Sequence, residues 1–181
     1  MKKLLILLGI VLLLSGCDLS VMTNTPTKQV EVFLNKYQTL DNDVLSDLDN
    51  VIAEEERFNT EQRDSYRDVM KSHYQDLKYN VKEETVDGDM ATVTVEIEVT
   101  DFSRIMSETN LYLEQNPDEF NYTDEGYDTG QFIDYQLGRL KDANETVKYT
   151  LYLTLNKVDG KWQLNPLTET EQDKINGMYV Y

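Results

Sequence analysis

The sequence predicts an α+β fold, in which N-terminal helices pack on one face of a curved antiparallel sheet of about four strands. Apolar residues recur at helical spacing from Val30 to Leu77 and at every second position after that. The alternation occurs in two separate hairpins, and a helical insertion lies between them. It places apolar side chains on one face only, as in an antiparallel sheet with one solvated face. No linker divides residues 26–181, so they are predicted to form a single domain.

The first 16 residues have the features of a signal peptide. Two lysines precede an apolar run from Leu4 to Leu14, and Ser15 and Gly16 directly precede the only cysteine, Cys17. The run is shorter than the roughly 20 residues that a helix needs to cross a bilayer. It therefore predicts a targeting segment and not a transmembrane anchor.

The segment Leu14-Ser15-Gly16-Cys17 resembles the lipobox of bacterial lipoproteins. This resemblance implies cleavage before Cys17 and acylation of its thiol, with residues 17–25 forming a lipidated N-terminus and a short tether. Two acyl chains, at about 0.8 kcal/mol for each buried methylene, make a stable anchor. The implied location is the extracytoplasmic face of the cell membrane. The alternative is an incidental cysteine in an ordinary secretory signal.

The charge balance limits the partners. The chain has 17 basic and 34 acidic residues and a net charge of −17, and loss of Lys2 and Lys3 with the signal makes it more negative still. Such a surface repels polyphosphate backbones, which excludes nucleic acid. The ordinary reason for this acidity is solubility. A lipid on Cys17 also removes the only thiol, so no disulfide or cysteine metal ligand is expected.

Three helices are predicted before the sheet. Thr25 caps the first, with Pro26 at its first position; Asp43 caps the second; and Asn59 with Gln62 forms a capping box for the third. The residues that define their apolar faces are Val30, Phe33, Leu34 and Tyr37 in the first, Leu45, Leu48, Val51 and Ile52 in the second, and Tyr66, Val69, Met70, His73, Tyr74 and Leu77 in the third.

Two hairpins follow, with turns at Asp87-Gly88 and Asp159-Gly160. Their inward-facing residues are Tyr79, Val81, Ala91, Val93, Val95, Ile97 and Val99 in the first, and Val147, Tyr149, Leu151, Leu153, Leu155, Trp162 and Leu164 in the second. Between the hairpins, one helix ends at Asn116-Pro117 and another spans Phe132 to Leu140. Thr168 then caps a short acidic helix, and the apolar tail 178–181 either folds back onto the sheet or offers an edge.

The order of these elements and the segment VDGKWQL are similar to small bacterial lipoproteins with the nuclear transport factor 2-like, cystatin-like α+β fold. The resemblance spans roughly residues 26–167. It implies a sheet that curves around helices to form a cone, which some members use as a ligand pocket or active site and many use for association. Enzyme members carry an acid-base pair of Asp and His, and this sequence has no matching arrangement.

The acidic, aromatic loop over residues 117–130 is where a binding function is expected, because long irregular loops often carry function. Aromatic rings with a polar tip line many ligand sites. The tyrosines predicted on the loop or the outer sheet face, and so the candidate ligand-binding residues, are Tyr122, Tyr127 and Tyr152. The carboxylates that make the loop a weak candidate for Ca²⁺ are Asp118, Glu119, Asp124, Glu125 and Asp128, although their spacing does not fit the EF-hand pattern.

No catalytic residue, cofactor or other metal site is predicted. His73 is the only histidine, and its place on the apolar face of the third helix favours a structural role. Nucleophile-elbow, zinc-protease and Walker motifs do not occur. The leading hypothesis is a membrane-anchored extracytoplasmic lipoprotein, a non-catalytic module for an envelope protein partner or a small ligand. The alternatives are a carboxylate-dependent hydrolase or isomerase with a cone-shaped pocket, and a purely structural envelope protein.

Overall fold

The computed structural model describes residues 24–121 and 126–180, and it confirms the α+β class. A helical insertion separates two hairpins, as predicted. No helix in this part of the chain has the length and apolar character needed to span a membrane. The elements are α1 (Pro26–Gln38), α2 (Asn42–Glu54), α3 (Thr60–Asp76), β1 (Lys78–Asp87), β2 (Met90–Thr100), α4 (Phe102–Gln115), a 3₁₀ turn (Pro117–Phe120), α5 (Thr129–Lys141), β3 (Thr146–Val158), β4 (Lys161–Leu164) and α6 (Glu169–Ile175).

Most of the predicted helix starts are confirmed. The Thr25 hydroxyl accepts a hydrogen bond from the Lys28 amide. Capping boxes form at Asn59 for α3 and at Thr168 for α6. Each cap satisfies amide groups that the first turn of a helix leaves without a partner.

The predicted start of α2 is wrong. Asp41 is the N-cap and accepts from the Asp43 amide at 3.1 Å, while the Asp43 carboxylate pairs with Lys36 at 2.6 Å. The backbone turns at Leu40 (φ 52°), directly before Asp41. The N-cap of α2 therefore lies two residues earlier than predicted. The buried face is also displaced: it consists of Val44, Leu48 and Ile52, whereas Val51 is 59% exposed.

The sheet has the order β1-β2-β3-β4, and all its pairs are antiparallel. Strand β2 pairs with β3 along its whole length, so these two form the centre. The turns differ in type. Positive φ at both Asp159 and Gly160 fits a type I′ turn, whereas in the first hairpin only Gly88 has positive φ, as type II′ requires.

Two buried clusters hold the domain together. The first lies between the sheet and α1, and the second joins α2, α3, α4 and α5. Tyr37 packs against both. Thus α1 provides much of the cover of the sheet, whereas α2 buries its apolar face among helices. Each fully buried Val, Leu or Ile contributes about 1.5–3 kcal/mol relative to exposure.

The C-terminal tail folds back onto the domain. The Gly177 carbonyl accepts a hydrogen bond from the Ser103 amide at 2.8 Å. Tyr179 packs edge-on against Tyr149, whose hydroxyl donates to the Tyr179 carbonyl at 3.3 Å. The described part of the tail therefore folds back onto the domain, which was the first of the two predicted alternatives.

Candidate functional site

A cleft opens between α2, α3, α4 and α5, with a volume of about 510 Å³. We call it the helical cleft. Its apolar lining consists of Val51, Ile52, Phe58, Tyr66, Met106, Phe132, Ile133, Leu137, Leu140 and Met178. Its polar lining consists of Glu54, Glu55, Arg57, Asn110, Tyr127, Thr129 and Gln136. An apolar concavity with a few polar groups is the usual form of a ligand site.

Two glutamines fix the walls of the cleft. Gln62 of α3 is 2% exposed, and its side-chain amide donates to the Gly130 carbonyl at 2.9 Å and to the Asp134 carboxylate at 2.8 Å. Gln136 of α5 donates to the Thr109 hydroxyl at 3.0 Å. These bonds join α3 to α5 and α5 to α4, so the cleft has a defined width.

The mouth of the cleft carries an ion pair. Arg57 donates from Nε and Nη2 to the two carboxylate oxygens of Glu55, each at 2.8 Å. This hydrogen-bonded guanidinium lowers the pKa of Glu55 to about 2. Glu54 also lines the mouth and forms no ion pair with any described residue. The mouth therefore has a slight negative charge, which suits an apolar or positively charged ligand.

Two edge-to-face aromatic pairs line the cleft. Phe58 and Tyr66 meet edge to face at 5.6 Å, and Tyr127 and Phe132 do so at 5.4 Å. Burial, with the charge of Glu55, raises the pKa of Tyr66, so its hydroxyl stays neutral at physiological pH. Such rings offer both flat apolar surface and hydrogen-bonding groups to a ligand.

Of the two candidate tyrosines that the structure describes, one lies at the helical cleft. Tyr127 lines it. Tyr152 is 62% exposed on the outer face of β3, opposite Thr94, and lies on the other side of the sheet from the core. Tyr122 lies outside the described residues.

The acidic loop carboxylates that the structure describes have local contacts. Asp128 caps α5 by accepting from the Gln131 amide at 3.0 Å, and Glu119 accepts from the Tyr112 hydroxyl at 2.9 Å. Asp118 is exposed, and Asp124 and Glu125 lie outside the described residues. Among residues 24–121 and 126–180 no group of three or more His, Asp or Glu side chains is arranged to hold a metal ion. Calcium binding stays a prediction.

His73 is buried at the junction of α3 and α6. Its Nε2 hydrogen donates to the Ile175 carbonyl at 2.8 Å, and its ring stacks on Phe102 with centroids 4.6 Å apart. Burial lowers the pKa of His73, which favours the neutral ring. No described carboxylate hydrogen-bonds to the ring, so the geometry offers no base paired with an acid at this position.

The sequence did not indicate most of the cleft. Phe58, Met106 and Met178 come from a loop, a helix and the tail, and no local spacing connects them. The one available signal is methionine at two of these positions, because Met side chains adapt to irregular or variable surfaces. Two other cavities, of about 560 and 430 Å³, lie beside α3.

No family profile matches this sequence, and no curated protein matches it. Among solved structures, the chain is similar to a crystal structure from Bacillus subtilis subsp. subtilis str. 168, that of YcdA, described as a lipoprotein. The identity is 14% and the TM-score is 0.43, over 88% of this chain and 54% of that one. The chain thus spans about half the length of that protein.

Proposed function

We propose that this chain is a membrane-anchored extracytoplasmic lipoprotein whose helical cleft binds a small apolar ligand or apolar side chains of an envelope protein, without catalysis. The cleft itself is the observation that supports a binding role. Apolar and aromatic side chains line it, hydrogen bonds from Gln62 and Gln136 join α5 to α3 and α4, and the lining includes the ion pair of Glu55 and Arg57. These are features of a binding site that exists before its ligand arrives.

The anchor is supported by the sequence, where a short apolar run leads directly into Leu14-Ser15-Gly16-Cys17. A chain held by two acyl groups does not leave the bilayer readily. The domain would then work at the membrane surface on partners or ligands in the envelope.

The two alternative functions have less support. Between the sheet and α1, the inner-face residues Val93, Val95 and Ile97 are each 0% exposed, so side chains fill the space that a cone-shaped active site would need. The one histidine is buried and has no carboxylate partner among the described residues. Against a purely structural role stands a concave cleft lined by Tyr66 and Tyr127.

The anchor is tested by Cys17→Ser. We expect the wild-type protein to incorporate a clickable palmitate analogue in bacterial cells and to enter the detergent phase of Triton X-114. The Cys17→Ser chain should incorporate no label and should stay in the aqueous phase. Labelling of both proteins to the same extent would contradict the anchor.

The cleft is tested by Val51→Trp, which places a large ring at the mouth from an exposed position, with Val32→Trp on α1 as the matched control. Val51 is 59% and Val32 is 47% exposed, so neither change disturbs the core. Native mass spectrometry of the lipidated proteins, released from membranes in mild detergent, should show a bound mass on wild type and on Val32→Trp. The mass should be lost from Val51→Trp. Equal occupancy of the two variants would contradict binding in the cleft.

A further inference from the structure

One end of the sheet carries both hairpin turns and several exposed apolar side chains. The Lys157 amide donates to the Asp89 carbonyl at 2.8 Å, which places the two turns side by side. Val86 is 50%, Met90 61% and Val158 45% exposed in this region. We call residues 86–90 and 157–161 the turn end.

The chain enters the domain beside the turn end. The Asn24 side chain accepts from the Trp162 amide at 2.6 Å and donates to the Trp162 carbonyl at 3.4 Å. Trp162 lies opposite Lys157 in the sheet. On the other edge, the Thr27 amide donates to Glu84 of β1 at 2.9 Å. The start of α1 is therefore held at this end of the sheet from both sides.

Helix α1 then runs toward the opposite end. The side chain of Gln38, its last residue, donates to the Leu77 carbonyl at 2.7 Å, next to the first residue of β1. Helices α3, α4 and α5, which contribute to the cleft, all join the sheet at that opposite end. The connections are Asp76 to Lys78, Thr100 to Phe102 and Lys141 to Thr146.

The tether sets a short limit on the distance to the anchor. Six residues separate Cys17 from Asn24. Because an extended chain spans at most about 3.6 Å per residue, the seven steps reach no more than about 25 Å. Of the two ends of the sheet, the turn end is therefore the one held close to the lipid.

We propose that the turn end rests against the phospholipid bilayer that holds the anchor, with Val86, Met90 and Val158 in contact with its interface. This inference rests on the proposed lipid anchor. The opposite end of the sheet, where the cleft helices join it, then faces away from the membrane. Apolar side chains at an interface gain stability by leaving water, and the anchor keeps them within reach of it.

The local charge permits this contact. Lys157 and Lys161 at the second turn offset two of the three charges of Asp87, Asp89 and Asp159, so the turn end carries one net negative charge. The turn end is thus much closer to neutral than the chain as a whole, whose net charge is −17. Repulsion from anionic headgroups is correspondingly weaker there than over the rest of the surface.

The test uses the full lipidated protein in vesicles of phosphatidylcholine and phosphatidylglycerol. Because lipid occupies the thiol of Cys17, a single introduced cysteine can be labelled selectively with the fluorophore NBD. Val158→Cys probes the turn end, and Leu111→Cys on α4, 52% exposed, is the matched control. With spin-labelled lipid in the vesicles, the label at 158 should lose most of its fluorescence and shift to the blue, while the label at 111 should do neither.

Flotation of the vesicles separates this inference from the anchor. If the protein floats with the vesicles but both labels remain equally bright, the orientation is wrong and the anchor stands. A blue shift at 158 without quenching by the lipid would place a protein surface, such as a second copy, on the turn end and would also overturn the inference. If the protein does not float, the anchor fails and the orientation fails with it.

Discussion

Gly177 and His73 are examples of residues whose roles depend on their neighbours. At Gly177 (φ 68°) a Cβ atom would lie 2.2 Å from the Thr100 carbonyl oxygen and 2.9 Å from Cε1 of His73. The His73 ring in turn holds the Ile175 carbonyl. The start of the tail is therefore closely fitted against α3 and the end of β2.

We expect Gly177→Ala to destabilise the domain by about 2–4 kcal/mol, because it combines a clash with backbone and a positive φ. Gly160→Ala is the control, since Gly160 also has positive φ (76°) but no atom within 4 Å of the added Cβ. That change should cost only the conformational strain, about 1 kcal/mol. Urea unfolding followed by circular dichroism measures both, and equal losses would show that the close fit at Gly177 does not matter.

His73 should make stability depend on pH. Because burial lowers its pKa in the folded state below the ordinary value of 6.5, the folded protein disfavours the charged ring. The contribution to stability is complete above pH 6.5 and is lost as pH falls through the lower, folded pKa. Urea midpoints between pH 7.5 and 5 should therefore decrease on acidification.

His73→Gln is the control for this pH effect. Its side-chain amide can still donate to the Ile175 carbonyl, but it does not titrate. Since His73 is the only histidine, the variant should show a flatter profile between pH 7.5 and 5. An unchanged profile would assign the pH dependence to other groups.

At the scale of elements, capping residues also join helices. The amide of Gln62 accepts from Asn59 within the capping box of α3 and donates across to α5. Glu171 has the same capping-box position in α6, where its hydrogen bonds stay within Thr168 and its own helix. Gln62 therefore joins two helices, whereas these hydrogen bonds of Glu171 are local to α6.

Gln62→Ala should cost about 1–3 kcal/mol more than Glu171→Ala, because it also removes a buried side chain and its two hydrogen bonds to α5, each worth about 0.5–1.5 kcal/mol. Loss of a cap alone costs roughly 1 kcal/mol. Denaturant unfolding of both variants measures the difference, and native mass spectrometry should show weaker ligand retention in Gln62→Ala. Similar stability losses would mean that the bonds to α5 contribute little.

Strand β4 is only four residues long and is held by Trp162. The ring is 8% exposed, its backbone is bound by Asn24, and Lys157 lies over its face at 5.5 Å. We expect Trp162→Ala to destabilise the domain by about 3–5 kcal/mol, and Trp162→Phe to cost much less. A loss below about 1 kcal/mol for Trp162→Ala in denaturant unfolding would show that the ring contributes little to the core.

At the scale of the whole molecule, the two buried clusters should unfold together. Tyr37 packs against both, and its ring meets Tyr74 edge to face at 5.1 Å. Burial, with the charge of Asp47, raises the pKa of Tyr37 to about 12. Trp162 fluorescence reports the sheet cluster, and circular dichroism at 222 nm reports mainly the helices. The two urea transitions should coincide, as for a single cooperative domain, and separate midpoints would contradict this.

The signal peptide over residues 1–16 stays a prediction. The sequence by itself determined the α+β class, the two hairpins and most helix caps. These follow from short-range physics: periodicity places one face of an element in the core, and a cap or a glycine turn acts within a few residues. Where two local solutions compete, the sequence was less informative. Asp41 and Asp43 are both acceptable caps for α2, and the backbone at Leu40 decided between them.

Only the tertiary structure decided where the candidate site lies. Phe58, Met106, Tyr127 and Met178 are far apart in the chain and share no pattern, so their meeting depends on how helices α2 to α5 and the tail pack. The same holds for Asn24 and Trp162, which are 138 residues apart and whose contact places Asn24 beside the turn end. Contacts between distant residues depend on the packing of the whole chain, and the local spacing of residues does not predict them.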